Sequence, residues 1–531
     1  MQAITPAQAV TQAKPTIKAA HERVGLNMLS NWASLIVGLV IAFFLAPYMV
    51  HKLGDSKYGI WAFSLQLASY LGVLDFGLRI ALTRYFTHYH ARDEYHHVSD
   101  AVSVGLAILA FIGLVSLLIT LVLVYFMPHW IKVPHELHST ARIVFFLIGL
   151  QIAIAFPGSL FGAMLAAVSR YDLLNFTLML NPILGGLLVW LALSHGLGLV
   201  SVALIAIISN GVNFLLNFFL ARRLYGGIRF RITRQQLQTH IRPLLSFSAF
   251  AFLLSISGRL LLWSDNIVVG FVLGPAIVTY YAIGGNLVDA MQRLLGSSTM
   301  VFVPMATSFN ARSEEDRLRM LLLKGSRFTF LLLLPGIIGF LILGRSFIGL
   351  WMGPRYVQLS GTVLILLTFS LVFAPLRGTC HQILYGMNRH RFNAYASLVE
   401  AFINLLLSIF LAYKIGAVGV AWGTMIPSLV FSGFVIPLYT AKHVGVSWSK
   451  LCWGSWLIPA VSSLPFAALL MISVRLGIPS TWTGFWATVV CSLLFYIAFA
   501  WFVVFSKPEK ETVYNQIRAT RERLSFNAQS A

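Results

Sequence analysis

Ionisable side chains lie inside long apolar segments of this chain, where an ionised group costs at least ~2.5–3.5 kcal/mol on insertion scales. Arg259 is the clearest case, because no acidic residue lies three or four positions away from it. Asp265, six residues after Arg259, would point about 120° away from it around a helix. A guanidinium without a local partner suits a phosphate-bearing ligand, since its donors match the geometry of phosphate oxygens. We therefore expect Arg259 to face a cavity that takes an anion.

Helical periodicity groups other polar residues into stripes. Ser255 and Asn266 fall on the same face as Arg259. Asp289 and Arg293 lie one turn apart, as do Asp75 and Arg79, so each pair could instead neutralise itself and join helices. Glu400 lies on an Asn- and Ser-rich face, where an ion-coupling role and an inter-helix hydrogen bond are both open. The carboxylates that we expect to couple transport to an ion are Asp289, Asp75, Asp265 and Glu400.

Composition indicates what kind of protein holds these groups. The chain has 531 residues, of which 58% are hydrophobic and 10% are charged, and its mean hydropathy is +0.81. Soluble domains carry roughly 25% charge, so soluble, disordered and coiled-coil classes are excluded. The net charge of +21 would suggest nucleic acid in a soluble protein, but basic loops of a membrane protein explain it better. We expect an all-α polytopic membrane protein.

Apolar runs between charge and turn clusters predict fourteen transmembrane helices, each about 20 residues or longer. With the N-terminus inside, 27 Lys and Arg residues fall on the inner side and 8 on the outer side, which predicts cytoplasmic termini. The predicted spans are 27–50, 58–78, 100–127, 142–168, 173–194, 197–221, 244–270, 277–305, 328–349, 359–385, 392–413, 417–440, 456–475 and 482–505.

The chain also repeats itself at a distance of 218–220 residues. Leu53-Gly54 matches Leu273-Gly274, Ser169-Arg170-Tyr171 matches Asn388-Arg389-His390, and Gly198 to Ala203 matches Gly416 to Ala421. Six spans per repeat give both halves the same orientation, as in transporters that work by alternating access. The predicted parts are a cytoplasmic segment (1–26), an N-terminal six-helix bundle (27–221), a cytoplasmic linker (222–242), a second six-helix bundle (243–440), two extra helices (441–505) and a cytoplasmic tail (506–531).

One stretch resembles a known family. Residues 53–84 read LGDSKYGIWAFSLQLASYLGVLDFGLRIALTR, which is similar to the second-span signature of Wzx-type polysaccharide flippases. These belong to the MOP superfamily together with the MATE exporters and the MurJ lipid II flippases. Asp265-Asn266-Ile-Val-Val-Gly270, followed by Leu273-Gly274 and Tyr280-Tyr281-Ala282, resembles the matching part of the second half. The resemblance covers roughly residues 20–440.

The resemblance implies a flippase that moves an undecaprenyl-pyrophosphate-linked oligosaccharide from the cytoplasmic to the periplasmic leaflet of a bacterial inner membrane. It implies no catalytic residue, cofactor or metal. Expected partners are this lipid-linked sugar, membrane lipids, and the polymerase and glycosyltransferases of the pathway, with no nucleic acid. Carried onto this chain, together with the polar stripe above, the substrate-binding residues would be Arg259, Arg293, Arg377, Arg79, Asn266 and Ser255.

Three alternatives stay open at this point. A MATE-like antiporter for cationic drugs is disfavoured by Arg259, which would repel a cation. A MurJ-like lipid II flippase fits the fourteen spans, but the first span carries Asn27 and Asn31 and no charge. A membrane-embedded glycosyltransferase would need paired carboxylates on a large outer loop, and the longest outer loop has only Glu136.

Overall fold

The protein is built from α-helices. The computed structural model describes the backbone of residues 17–92, 94–130, 132–225, 264–503 and 510–511. No β-strand occurs within these ranges. The chain divides by its internal contacts into two units, Met1–Ile256 and Ser257–Ala531, which are described separately.

The described part of the N-terminal unit contains long apolar helices that pack side by side. Phe44 and Phe111 are largely exposed on them, as expected for side chains that face hydrocarbon rather than water. The interior is formed mainly by α3, α4 and α5, around Leu82, Phe86 and Met164. The helices are α1 (Ile17–Leu53), α2 (Asp55–Leu71), α3 (Leu78–Ala91), α4 (Tyr95–Trp130), α5 (His138–Ala167), α6 (Tyr171–Ser194) and α7 (Leu199–Leu224).

The C-terminal unit begins, in its described part, with the helix Ser264–Leu273, here α8. Two π-helices interrupt its later part, at Phe431–Val435 and Trp453–Leu457. The other helices are α9 (Pro275–Thr299), α10 (Phe302–Ala311), α11 (Glu315–Trp351), α12 (Val357–Ser370), α13 (Ala374–Gly386), α14 (His390–Val430), α15 (Ile436–Val444), α16 (Trp448–Cys452), α17 (Ile458–Ser462), α18 (Leu464–Arg475) and α19 (Trp482–Val503).

The two units match in the order of several helices and in several turns between them. The helix starts of α4 and α11, and the helix ends of α3 and α10, are each 220 residues apart. Gly54 and Gly274 precede matching helices with φ of 79° and 93°, a region that favours glycine. Ser169 and Asn388 both have φ of 58° at a matching turn. The repeat expected from short sequence matches is therefore present in the backbone.

The second predicted span is bent rather than straight, which corrects one expectation. A 3₁₀ turn (Gly72–Asp75) follows α2, Phe76 and Gly77 have positive φ, and α3 starts at an angle of 44° to the preceding helix. Asp75 accepts a hydrogen bond from the backbone N–H of Gly77 at 2.8 Å. Asp75 and Arg79 therefore do not lie one turn apart on a single helix, and no ion pair within 4 Å joins these two described residues.

Interruptions of the helix also occur in some of the later predicted spans and not in others. Pro157 leaves α5 unbroken, whereas the tenth span bends by 43° between α12 and α13, with Pro375 in the first turn of α13. The eleventh and twelfth spans form one hairpin, because the backbone leaves helical geometry at Ile415 and Gly416. Ser408 Oγ donates to Val420 O across this hairpin at 3.2 Å.

Within the described ranges, nine helices are long and apolar enough to cross a membrane, or up to eleven when each bent pair counts as one span. The run His390–Val444 counts once although it holds two predicted spans. The protein is thus an all-α, multi-pass membrane protein. The total of fourteen spans stays a prediction, and most of the seventh span lies outside the described residues.

Candidate functional site: a polar cavity in the N-terminal unit

A cavity of about 620 Å³ lies within the N-terminal unit. Its walls come from four helices, which are α3, α5, α6 and α7. One wall is cationic, one consists of small residues, and one carries a ladder of amides. Each wall follows from the local sequence.

The cationic wall is the first half of α3. The turn at Gly77 starts a new helix direction, and Arg79 lines the cavity one turn before Thr83 and Arg84. Thr83 Oγ1 donates to the carbonyl of Arg79 at 2.9 Å, so its hydroxyl is satisfied within α3. The Arg79 side chain is exposed and forms no ion pair within 4 Å with any described carboxylate. Arg79 can therefore offer its donors to a ligand.

The second wall is made by α5, which presents side chains of minimal size. Ala155, Gly158, Ser159 and Gly162 lie within eight residues of one another and all line the cavity. Small side chains let a ligand or another helix approach the backbone closely. Ala155, Ser159 and Gly162 therefore take up little of this space, whereas at Gly158 the Phe214 ring of α7 packs close to the backbone of α5.

The third wall is a hydrogen-bonded amide ladder between α6 and α7. Asn217 Nδ2 donates to Asn213 Oδ1 at 2.8 Å, and Asn213 Nδ2 donates to Thr177 O at 2.8 Å. Thr177 Oγ1 donates to Asn217 Oδ1 at 3.1 Å. One turn along, Asn181 Nδ2 donates to Asn210 Oδ1 at 3.3 Å. The ladder fixes the amides, and the asparagines of α7 line the cavity.

The cavity as a whole suits an anion with polar substituents. Two arginines line it, together with three asparagines and Tyr171, and no carboxylate is among its lining residues. Guanidinium groups bind phosphate oxygens, while amides can both donate to and accept from hydroxyl groups. A cation would meet no compensating charge there.

Two of the residues expected to bind substrate, Arg259 and Ser255, lie outside the described residues. Arg293 is exposed on α9. Asp289, one turn earlier, is half-buried, and no ion pair within 4 Å joins it to Arg293 in the described structure. Local neutralisation of Arg293 by direct contact is therefore absent.

Arg377 and Glu400 meet in the C-terminal unit, although one was expected to bind substrate and the other to couple an ion. Arg377 Nη1 donates to Glu400 Oε1 at 2.8 Å and lies 2.7 Å from Oε2. Arg377 also donates to Ser432 Oγ at 3.2 Å and Ser397 Oγ at 3.1 Å. The Glu400 side chain is only 2% exposed, so this is a buried, hydrogen-bonded ion pair between α13 and α14.

Asp265 is also buried and satisfied by protein groups. Tyr281 donates to its Oδ2 at 2.7 Å, and Thr424 Oγ1 lies 2.8–2.9 Å from its two oxygens. Asn266 is buried beside it, and its Oδ1 has no hydrogen-bond partner in the described structure. Asp265 therefore links α8, α9 and the second half of α14.

The comparisons with known proteins identify the family. Residues 24–310, more than half of the chain, match the family model described as "Polysaccharide biosynthesis protein". The chain belongs to this family. Similar proteins include the uncharacterized membrane protein EpsK of Bacillus subtilis strain 168, 22% identical over 93% of this chain and 98% of EpsK. Another is the putative O-antigen transporter of Shigella flexneri, 19% identical over 74% of this chain and 92% of the transporter.

The solved structures agree on the fold. The lipid II flippase MurJ, in an inward closed conformation, superposes with a TM-score of 0.69 over 90% of this chain and 98% of MurJ, at 16% identity. This confirms the expected all-α, multi-pass helix arrangement. It shows the fold alone.

The amide ladder of this polysaccharide biosynthesis protein was not singled out in the sequence, although a signal for it exists. Asn210, Asn213 and Asn217 are spaced three and four residues apart, which places them on one face of an otherwise apolar helix. A search for charged residues alone overlooks such uncharged polar stripes.

The described residues also contain no group of three or more His, Cys, Asp or Glu side chains that could hold a metal ion.

Proposed function

We propose that the protein moves an undecaprenyl-pyrophosphate-linked oligosaccharide from the cytoplasmic to the periplasmic leaflet of a bacterial inner membrane. It does so without covalent chemistry, by alternating access between two like-oriented bundles. The cavity of the N-terminal unit carries the argument, because it combines two arginines with an amide ladder and has no carboxylate among its lining residues.

The match to a polysaccharide biosynthesis family supports a saccharide cargo, and a relative named as an O-antigen transporter supports movement rather than synthesis. A lipid-linked saccharide has two polar parts. Arg79 and Arg84 of the cavity would bind the pyrophosphate, and Asn210, Asn213 and Asn217 would contact hydroxyl groups of the first sugar. Arg259 and Arg293 stay candidates for binding the substrate, whereas Arg377 is already paired with Glu400 inside the C-terminal unit.

Orientation follows from charge. An excess of 27 over 8 basic residues on one side supports cytoplasmic termini and a cytoplasmic 222–242 linker. A membrane that is negative inside favours outward movement of an anion by about 2.3 kcal/mol per charge per 100 mV. The cavity then only has to replace the hydration of the head group.

Asp289 is the strongest of the ion-coupling candidates. It is half-buried and has no ion pair within 4 Å in the described structure, whereas Glu400 is paired with Arg377, Asp265 accepts from two hydroxyls and Asp75 accepts from a backbone N–H. Asp289→Asn should slow transport under a proton or sodium gradient while the protein still inserts into the membrane.

The test is transport of a fluorescent undecaprenyl-pyrophosphate-linked sugar in proteoliposomes, compared with polysaccharide export in cells. Arg79→Ala should reduce both by at least tenfold at unchanged protein level. Arg222→Ala is the matched control, because Arg222 is an exposed arginine of the same unit that does not line the cavity. Normal transport by Arg79→Ala, or an equal loss in Arg222→Ala, would refute the assignment of the cavity.

A further inference from the structure

A second cavity, of about 700 Å³, lies in the C-terminal unit between α11 and the segment formed by α16 and the following π-helix. Three cationic side chains line it, Lys324 and Arg327 from α11 and Lys450 from α16. No acidic residue is among its lining residues. It shares no residue with the cavity of the N-terminal unit.

The cations of this cavity differ from those one to two turns earlier on α11. Arg317 lies 3.3 Å from Glu314, and Arg319 lies 2.9–3.0 Å from the carboxylates of Asp316 and Glu315. Lys324 and Lys450 are exposed, and neither forms an ion pair within 4 Å with a described acid. Arg317 and Arg319 are therefore neutralised by neighbouring carboxylates, whereas the lysines of the cavity leave it with an excess of positive charge.

Apolar side chains continue from the cationic centre along the same face of α11. Met320, Phe328 and Leu332 are 51–53% exposed and alternate with Lys324 at intervals of four residues. Residues four apart lie above one another on a helix, so Lys324 stands in a column of exposed hydrocarbon. On the other side of the cavity Trp453 is 66% exposed, and tryptophan is enriched where hydrocarbon meets polar head groups.

A hydrogen bond joins the two segments that line this cavity. Ser455 Oγ of the π-helix donates to the carbonyl of Leu323 on α11 at 3.2 Å. Gly454 lines the cavity, and a Cβ atom placed on it would meet no atom within 4 Å. A ligand can therefore approach the backbone of the π-helix without displacing a side chain.

We propose that this cavity binds the phosphate head group of an anionic glycerophospholipid. Lys324, Lys450 and Arg327 surround the phosphate, and the acyl chains lie along Phe328 and Leu332. Charge complementarity selects the head group, since basic pockets between membrane helices hold anionic lipids. The bound lipid bridges α11 of the repeated bundle and α16 of the predicted extra helices, which gives those helices a role that does not depend on the cargo.

The experiment is native mass spectrometry of the purified full-length protein, titrated with dioleoyl phosphatidylglycerol or dioleoyl phosphatidylcholine. The wild-type protein should bind phosphatidylglycerol more tightly. Each lysine should contribute about fivefold in affinity, so Lys324→Gln with Lys450→Gln should weaken one binding event by roughly 25-fold. Replacement of both by arginine should retain binding, because the charge remains.

Arg317→Gln is the control for net charge, since Arg317 is exposed but already paired with Glu314. Arg79→Ala is the control for the other cavity, and it should leave this binding event unchanged. Phosphatidylglycerol should also raise the midpoint of thermal unfolding of the protein. Inorganic phosphate at millimolar concentration should not raise this midpoint to the same extent. Equal affinity of the double glutamine variant, equal affinity for phosphatidylcholine, or full stabilisation by phosphate alone would overturn the proposal.

Discussion

The two units share an order of helices but differ in the surroundings of their charged side chains. In the C-terminal unit the carboxylates of Glu400 and Asp265 are each engaged by protein donors from other helices. In the N-terminal unit the cavity gathers Arg79, Arg84 and an amide ladder without a carboxylate among its lining residues. The repeat therefore conserves architecture and not electrostatics.

This difference separates two uses of charge in one fold. A buried ion pair whose partners both come from the protein fixes the packing of helices, and it is costly to break. A cavity that is lined by arginines and by no carboxylate favours an anionic ligand. The following variants test that division, in order of decreasing expected effect on stability.

The largest effect is expected at the buried ion pair. Arg377→Gln would leave Glu400, which is 2% exposed, as a buried charge without its cation, and such a loss costs about 3–5 kcal/mol. We expect a marked fall in the midpoint of thermal unfolding in detergent and reduced accumulation in the membrane. Adding Glu400→Gln should recover part of the loss. If Arg377→Gln unfolds like the wild-type protein, the pair does not stabilise this unit.

A smaller effect is expected at Asp265. Asp265→Asn removes the charge that accepts hydrogen bonds from Tyr281 and Thr424, and bonds to charged groups contribute about 1.5–3 kcal/mol. The same unfolding measurement should show a loss below that of Arg377→Gln. Asp316→Asn is the control, since Asp316 is 92% exposed. Equal behaviour of the two variants would contradict a structural role for Asp265.

In the N-terminal unit, Thr177→Val should cost less again. It keeps the shape of the side chain but removes the hydroxyl, whose single proton faces both Leu174 O at 2.9 Å and Asn217 Oδ1 at 3.1 Å. A neutral hydrogen bond of this kind contributes about 0.5–1.5 kcal/mol. The loosened amide ladder should also lower transport, because Asn213 and Asn217 line the cavity. Unchanged transport together with lowered stability would restrict the ladder to a packing role.

The smallest effect on stability is expected for Arg79→Ala. Exposed side chains away from structural features change stability by about 0.5 kcal/mol or less. The same variant should lose most of its transport. A variant that fails to accumulate would show that Arg79 supports the fold, and the proposed contrast between the units would then be wrong.

The sequence predicted the fold class, the repeat and most spans, because apolar length and short matches such as Leu53-Gly54 are local signals. It did not predict the bend after Asp75, because Phe76 adopts a positive φ, which is rare for a bulky residue and is not predicted by its type. It also did not pair Arg377 with Glu400, which lie 23 residues apart on different helices. The assignment of substrate and coupling residues stays a prediction, since side-chain partners across helices depend on packing that periodicity alone does not specify.

Thermal unfolding of the purified full-length protein can show directly whether it binds undecaprenyl pyrophosphate, with undecaprenol as the uncharged control. A ligand that binds the folded state alone stabilises it by about 2.7 kcal/mol at a hundredfold excess over its dissociation constant. If the cavity of the N-terminal unit binds the pyrophosphate, the unfolding midpoint should rise with this lipid and not with undecaprenol. The rise should be lost in Arg79→Ala but not in Arg222→Ala. An undiminished rise in Arg79→Ala would contradict this assignment.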